Sequence, residues 1–206
     1  HSGYAFDSTL GYPGEGPCTL LGWNIRGSED TLGRVLKPAR AQGVDIIYLQ
    51  ELRFTDEKSE TKFKKTAATH GYLAHVSRAK ADDIAAGVAV LIRLASRHVI
   101  VTGTIEEPVP GRLLIVPATV VGQKTRLCSV YVPSDPAKRK QFIESLPEDS
   151  LHPDDLVEGD FNSVPDVGED TRRKAKDTRI YANINGDLVN KWLNGAGLTD
   201  VARHMY

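Results

Sequence analysis

The stretch Leu156-Val157-Glu158-Gly159-Asp160-Phe161-Asn162 decides how the chain reads. It opens apolar, as a strand does, and stops on a glycine, a carboxylate and, after one aromatic ring, an amide. A carboxylate at the end of a buried strand costs free energy unless it is paired or holds a cation. Two upstream strands stop on polar residues in the same way. Asn24 follows Leu20-Leu21-Gly22-Trp23, and Glu51 follows Ile46-Ile47-Tyr48-Leu49-Gln50. Endings on separate strands can converge on one rim, where layered α/β proteins bind ligands. Each residue alone has a plainer reading: Asn24 and Gly159-Asp160-Phe161-Asn162 as turns, Glu51 as a solvated charge, Tyr131 as a core ring with a satisfied hydroxyl.

Working outward, residues 19–23, 44–50, 87–93, 113–121, 125–132 and 156–160 read as strands, rich in Val, Ile and Leu and bounded by Gly, Pro and charges. The fourth and fifth, joined through Gly122-Gln123-Lys124, predict a hairpin. Helical periods fall between them. Leu32, Val35, Leu36 and Ala39 share a face, with Asp30 placed to cap the start, Gly43 the end, and Pro38 to kink or shorten the helix. Asp135-Pro136 predicts the cap and first turn of a helix reaching Ser145. Leu188, Val189, Trp192, Leu193 and Ala196 form another stripe, closed by Gly197. Strands and helices mix without strict alternation, so the expected class is α/β (α+β), mixed sheets layered with helices. Residues 1–17 hold Gly3, Gly11, Gly14, Gly16, Pro13 and Pro17 and no apolar period; they read as a flexible arm or tag remnant, leaving 18–206 as one domain.

Composition bounds the function. With 206 residues, 40% of them hydrophobic and 26% charged, the chain can bury one substantial core. The 26 basic and 27 acidic residues give a net charge of −1, which excludes a strongly basic histone-like binder but leaves room for a local basic face. No apolar run approaches the ~18 residues of a membrane span, so a soluble protein without a membrane partner is expected, and the sparse cysteines favour a reducing, intracellular compartment. Cys18 and Cys128 cannot build a disulfide framework or a thiolate metal site, and Cys128 reads as a buried free thiol. The sole methionine is Met205, so His1-Ser2-Gly3 reads as an expression remnant or a cut from a longer polypeptide.

The residue types at the strand ends fit phosphate chemistry. Glu51 can give Mg²⁺ a hard oxygen ligand. Asp160 can orient or deprotonate a water. Asn24 and Asn162 can hold a metal-bound water or donate to a phosphate oxygen, and the Tyr131 hydroxyl can donate to the same phosphate. Trp23-Asn24-Ile25-Arg26-Gly27, Leu49-Gln50-Glu51, Gly87-Val88-Ala89-Val90-Leu91, Tyr131-Val132-Pro133, Gly159-Asp160-Phe161-Asn162 and Leu198-Thr199-Asp200-Val201-Ala202-Arg203 occur in this order. That series resembles the endonuclease/exonuclease/phosphatase superfamily over nearly the whole chain after Cys18. The resemblance implies a four-layered sandwich of two mixed sheets flanked by helices, and hydrolysis of phosphodiesters or phosphomonoesters with Mg²⁺ or Mn²⁺. It makes Glu51 the metal ligand with Asn24 beside it, Tyr131 a phosphate contact, Asp160 the activator of the nucleophile and Asn162 a positioner of water or phosphate. Asp200 takes a structural place.

Thr171-Arg172-Arg173-Lys174-Ala175-Lys176-Asp177-Thr178, then a helix and 198–206, looks like the endonuclease domains of non-LTR retrotransposons. Arg203-His204-Met205-Tyr206 is also similar to the apurinic/apyrimidinic endonucleases. The family's Ser-Asp-His element and last strands are absent from this sequence; His70, His75, His98, His152 and His204 all lack that setting. The expectation is a C-terminally incomplete domain, either truncated, a natural degenerate copy or one part completed by another chain, with open sheet edge or apolar surface able to self-associate and activity lowered about a thousandfold or more. Arg172, Arg173, Lys174 and Lys176, with Arg179 after them, follow the motif closely and are expected on a nucleic-acid backbone, and Arg26 and Arg53 on phosphates. Lys62, Lys64 and Lys65, and Lys138, Arg139 and Lys140, read as solvated helix faces. The resulting expectation is an Mg²⁺- or Mn²⁺-dependent DNA endonuclease that nicks one strand, in a polypeptide with a reverse transcriptase domain, and nuclear if eukaryotic. The alternatives are an abasic-site endonuclease, an RNase or a phosphomonoesterase of the same fold, and a catalytically dead nucleic-acid-binding remnant.

Overall fold

Two mixed sheets carry the chain in a computed structural model that describes residues 5–8, 17–163 and 185–200. The first contains β1 (Ala5–Ser8), β2 (Cys18–Asn24), β3 (Ile46–Gln50), β4 (Tyr72–Ser77) and β5 (Val88–Arg93), in the order β1-β2-β3-β5-β4. Only β2 and β3 run parallel in it. The second contains β6 (Val99–Val101), β7 (Glu106–Val109), β8 (Leu113–Val120), β9 (Gln123–Tyr131) and β10 (Leu156–Asp160). Its order is β10-β9-β8-β6, with β7 also on β8, and only β9 and β10 are parallel. The expected β8–β9 hairpin is present, but it turns at Val121 and Gly122, both at positive φ, and Gln123 and Lys124, read as part of the connection, pair within β9.

Period 2 divides the side chains of the first sheet between two cores. Ile47, Leu49, Ala89 and Leu91 face Leu32, Val35, Leu36 and Ala39 of α1 (Glu29–Gln42) and Phe63 and Ala67 of α2 (Glu57–Thr69). Ile46, Tyr48, Val88 and Val90 point the other way, onto Leu114, Val116, Ala118 and Leu127 of the second sheet. This gives a helix layer, a sheet and a second sheet within one compact unit, made of residues 1–131 and 156–160. Residues 132–155 and 161–206 form a second unit with α3 (Pro136–Ser145) and α4 (Gly186–Gly195), where Phe142 and Trp192 meet edge to face at 6.0 Å.

Local expectations fare unevenly. Residues 5–8, read as part of an arm, pair antiparallel with β2, because an edge strand is held by main-chain bonds and needs no apolar period. Ser28, not Asp30, caps α1: its Oγ accepts from Thr31 N at 3.2 Å, and Asp30 lies in the first turn. The helix continues through Pro38 to Gln42 and closes on Gly43 at φ 71. Asp135 caps α3 as expected. Both cysteines are buried thiols outside any disulfide, and burial pushes the Cys18 thiol up to about 12. Among the described residues, no helix is long and apolar enough to cross a membrane.

Candidate active site

Each parallel strand pair places its C-terminal ends side by side. Asn24, the last residue of β2, stands opposite Gln50, the last of β3, and Glu51 comes next. In the other sheet Tyr131 stands opposite Asp160. Asn24 Nδ2 joins the two sheets, donating to Glu51 Oε1 at 2.6 Å and to Asp160 Oδ2 at 3.0 Å. The amide is oriented by its other end, where Asn24 Oδ1 accepts from Arg26 N at 3.1 Å. The three strand endings singled out in the sequence thus meet at one amide group.

Glu51 is held where few residues rest. Its φ is 55° and that of Arg53 is 58°, left-handed conformations that cost roughly 1–3 kcal/mol each in a non-glycine residue. Main-chain bonds maintain them: Gly27 N to Glu51 O, Leu52 N to Gly87 O and Arg53 N to Ala86 O, at 2.7, 3.1 and 2.9 Å. Glu51 is only 8% exposed. Burial alone would push its carboxyl up, but donors from Asn24, Arg53 and Tyr131 outweigh that and hold it below the ordinary carboxylate range. Glu51 is ionised at neutral pH. The Tyr131 hydroxyl is pushed up to about 12 by burial and by the Glu51 charge, so it is a protonated donor there.

Behind Tyr131 stands a residue that the sequence reading missed. Arg112, 6% exposed, forks onto Asp83 through Nε and Nη2, both at 2.7 Å. Its Nη1 donates to Tyr131 O at 3.2 Å, and its guanidinium carbon lies 4.6 Å from the Tyr131 ring centroid. The clamp fixes main chain and ring together. The available signal was Gly111-Arg112 before the apolar run of β8, but a charge there also reads as a strand boundary.

One step inward from Asn24 and Asp160 lie Gly22 and Glu158. A Cβ at Gly22 would overlap Glu158 Oε1, so glycine makes the room for that carboxyl. Burial pushes Glu158 up to about 7. Gly159 has a different reason: its Cβ would overlap Val130 O, a backbone atom that cannot swing aside, so the glycine lets β10 lie against β9 immediately before Asp160.

In the second unit, Asn162 sits at φ 46 and its Nδ2 donates to Val132 O at 2.8 Å. Arg139 is fully buried, its Nη2 donating to Asn162 O at 2.6 Å and Ser134 O at 3.0 Å, its Nε to Pro133 O at 3.2 Å. This corrects the reading of Lys138, Arg139 and Lys140 as one solvated face: the two lysines are exposed, while the guanidinium's several donors answer backbone carbonyls. Lys62, Lys64 and Lys65 are exposed as expected, Lys62 paired with Glu29 and Lys64 with Glu60.

Arg26 is exposed beside Asn24, and Asp200 is exposed after α4. Arg172, Arg173, Lys174, Lys176, Arg179 and His204 lie outside the described residues. Among the described residues no group of three His, Cys, Asp or Glu gathers as a metal cluster. Mg²⁺ takes only one or two carboxylates and keeps its waters, and two carboxylates gathered by one amide suit that demand.

No protein-family model matches the sequence, and no curated protein sequence matches it either. Solved structures do. The chain is similar to the AP endonuclease LMAP from Leishmania major at 16% identity and a TM-score of 0.68, over 91% of this chain and 69% of that one. It is similar to the endonuclease domain of TRAS1, a telomere-specific non-LTR retrotransposon, at 16% identity and 0.52, over 86% and 71%. A humanized D. rerio TDP2 with 14 mutations gives 21% identity and 0.50, over 73% of this chain and 64% of that chain, under two thirds of its length. Identities this low speak for fold: the chain has the endonuclease/exonuclease/phosphatase fold, α+β with two mixed sheets, as the motif series implied.

Proposed function

We propose that the chain is a metal-dependent phosphodiesterase, a DNA endonuclease that nicks one strand by in-line hydrolysis, of the kind found in non-LTR retrotransposons. One observation carries the reading: Asn24 gathers Glu51 and Asp160, one carboxylate from each sheet, with the Tyr131 hydroxyl against the first. Glu51, with Asn24 beside it, would hold Mg²⁺ or Mn²⁺, which when bound would supply positive charge against the negative charge building on the phosphate. Asp160 orients an attacking water and takes its proton. The Tyr131 hydroxyl, a donor at neutral pH, can turn to a non-bridging phosphate oxygen. Asn162 positions water or phosphate. Arg26 and Arg53 meet the phosphates near the site, and Arg172, Arg173, Lys174 and Lys176 the backbone further along.

A reverse transcriptase domain in the same polypeptide, self-association and a nuclear location belong to this reading. The likeness to an AP endonuclease at a TM-score of 0.68 favours abasic-site DNA as the second substrate. The test is conversion of supercoiled plasmid to open circles with Mg²⁺ or Mn²⁺, beside Asp160→Ala. Metal-dependent nicking that the variant loses supports the proposal. Equal rates in both proteins would refute it.

A further inference from the structure

Glu51 already faces a cation, Arg53 of its own chain. Arg53 Nε donates to Glu51 Oε2 at 3.0 Å and Nη2 donates to the same oxygen, while Oε1 takes Asn24 and the Tyr131 hydroxyl stands against the carboxylate. Both carboxylate oxygens are thus engaged, Oε2 by two donors of one cation. A further cation can reach Glu51 only if a donor leaves. Asn24 is tied to Asp160 and to Arg26 N, and Tyr131 is clamped by Arg112. The Arg53 side chain is 46% exposed and has water to move into.

We propose that Arg53 is the built-in counter-ion of Glu51, displaced when a divalent cation binds, so that it sets the cation concentration at which the site fills. This rests on the reading of Glu51 as a metal ligand. The geometry keeps the exchange local. The Arg53 backbone is fixed by its bond to Ala86 O, and its stem lies across Gly27, where a Cβ would stand 2.9–3.3 Å from Arg53 Cβ, Cγ and Cδ. Only the guanidinium has to swing. A guanidinium and a divalent ion on one carboxylate repel each other, which makes the two occupants alternatives rather than partners.

The experiment is calorimetric titration of Mn²⁺ into the wild-type chain, Arg53→Met, Arg53→Lys and Glu51→Gln, each first checked for native circular dichroism. Removing a half-exposed ion pair should tighten Mn²⁺ binding by about two- to fivefold in Arg53→Met. Arg53→Lys, which keeps the charge but not the two-pronged contact, should fall between. Glu51→Gln should lose binding. If Glu51→Gln loses binding but Arg53→Met binds no tighter than wild type, Arg53 is not a competitor, although the metal reading survives. If Glu51→Gln binds like wild type, or no variant binds Mn²⁺, Glu51 is not the ligand and both readings fall.

Discussion

Glu158→Gln probes the interior beneath the proposed centre. Glu158 lies on β10 against Gly22, with Asp160 two residues along the same face. The sequences of β2 and β3, Cys-Thr-Leu-Leu-Gly-Trp-Asn and Ile-Ile-Tyr-Leu-Gln, carry no charge to offset its burial, and it has no hydrogen-bond partner among the described residues. Burial therefore raises its carboxyl from 4.5 to about 7. Between those values the folded chain holds a proton that the unfolded chain has lost. Stability is then fully present below the unfolded value and falls as pH rises towards 7. The gap corresponds to about 3 kcal/mol, an upper figure because the side chain is only half-buried. Glutamine stays neutral throughout. Urea unfolding of both proteins from pH 4.5 to 8 should give nearly equal stabilities at the acid end. Above pH 7 the variant should lead by about 2–3 kcal/mol. A difference that stays constant across this range, or grows towards acid, would refute the reasoning.

Three further outcomes follow from the same geometry. Arg112→Met leaves the Asp83 carboxylate without its fork and Tyr131 without its clamp, and should destabilise by about 3 kcal/mol in urea unfolding, part of it recovered by adding Asp83→Asn. Gly159→Ala forces β10 away from Val130 O and should lower stability by about 3 kcal/mol or more; a thermal midpoint within two or three degrees of wild type would contradict it. Ser28→Ala removes the cap of α1 and should cost about 1 kcal/mol, whereas Asp30→Ala should cost less.

What was legible in the sequence follows from which interactions leave a pattern. Asn24, Glu51 and Asp160 stood out because each follows a run that opens apolar, and they meet in space because parallel pairing aligns strand ends. The β8–β9 hairpin and the caps Gly43 and Asp135 were equally readable from local chemistry. β7, Glu-Glu-Pro-Val, and β1 were not, because edge strands are defined by main-chain pairing. β4 hides for a related reason: Leu73 is exposed where an alternating pattern calls for a polar residue. Arg112 and Arg139 could not be told from surface charges, since their partners are a distant aspartate and backbone carbonyls. Arg53 was singled out for phosphate. That it rests on Glu51 follows from two left-handed residues flanking Leu52, which no side-chain pattern announces.

The centre itself is best tested in a crystal soaked with Mn²⁺ and recorded at the manganese absorption edge. An anomalous peak bonded to the Glu51 carboxylate, beside Asn24 and Asp160, is expected, as is its loss in Glu51→Gln. A peak bound elsewhere, or a peak unchanged by that substitution, would contradict it.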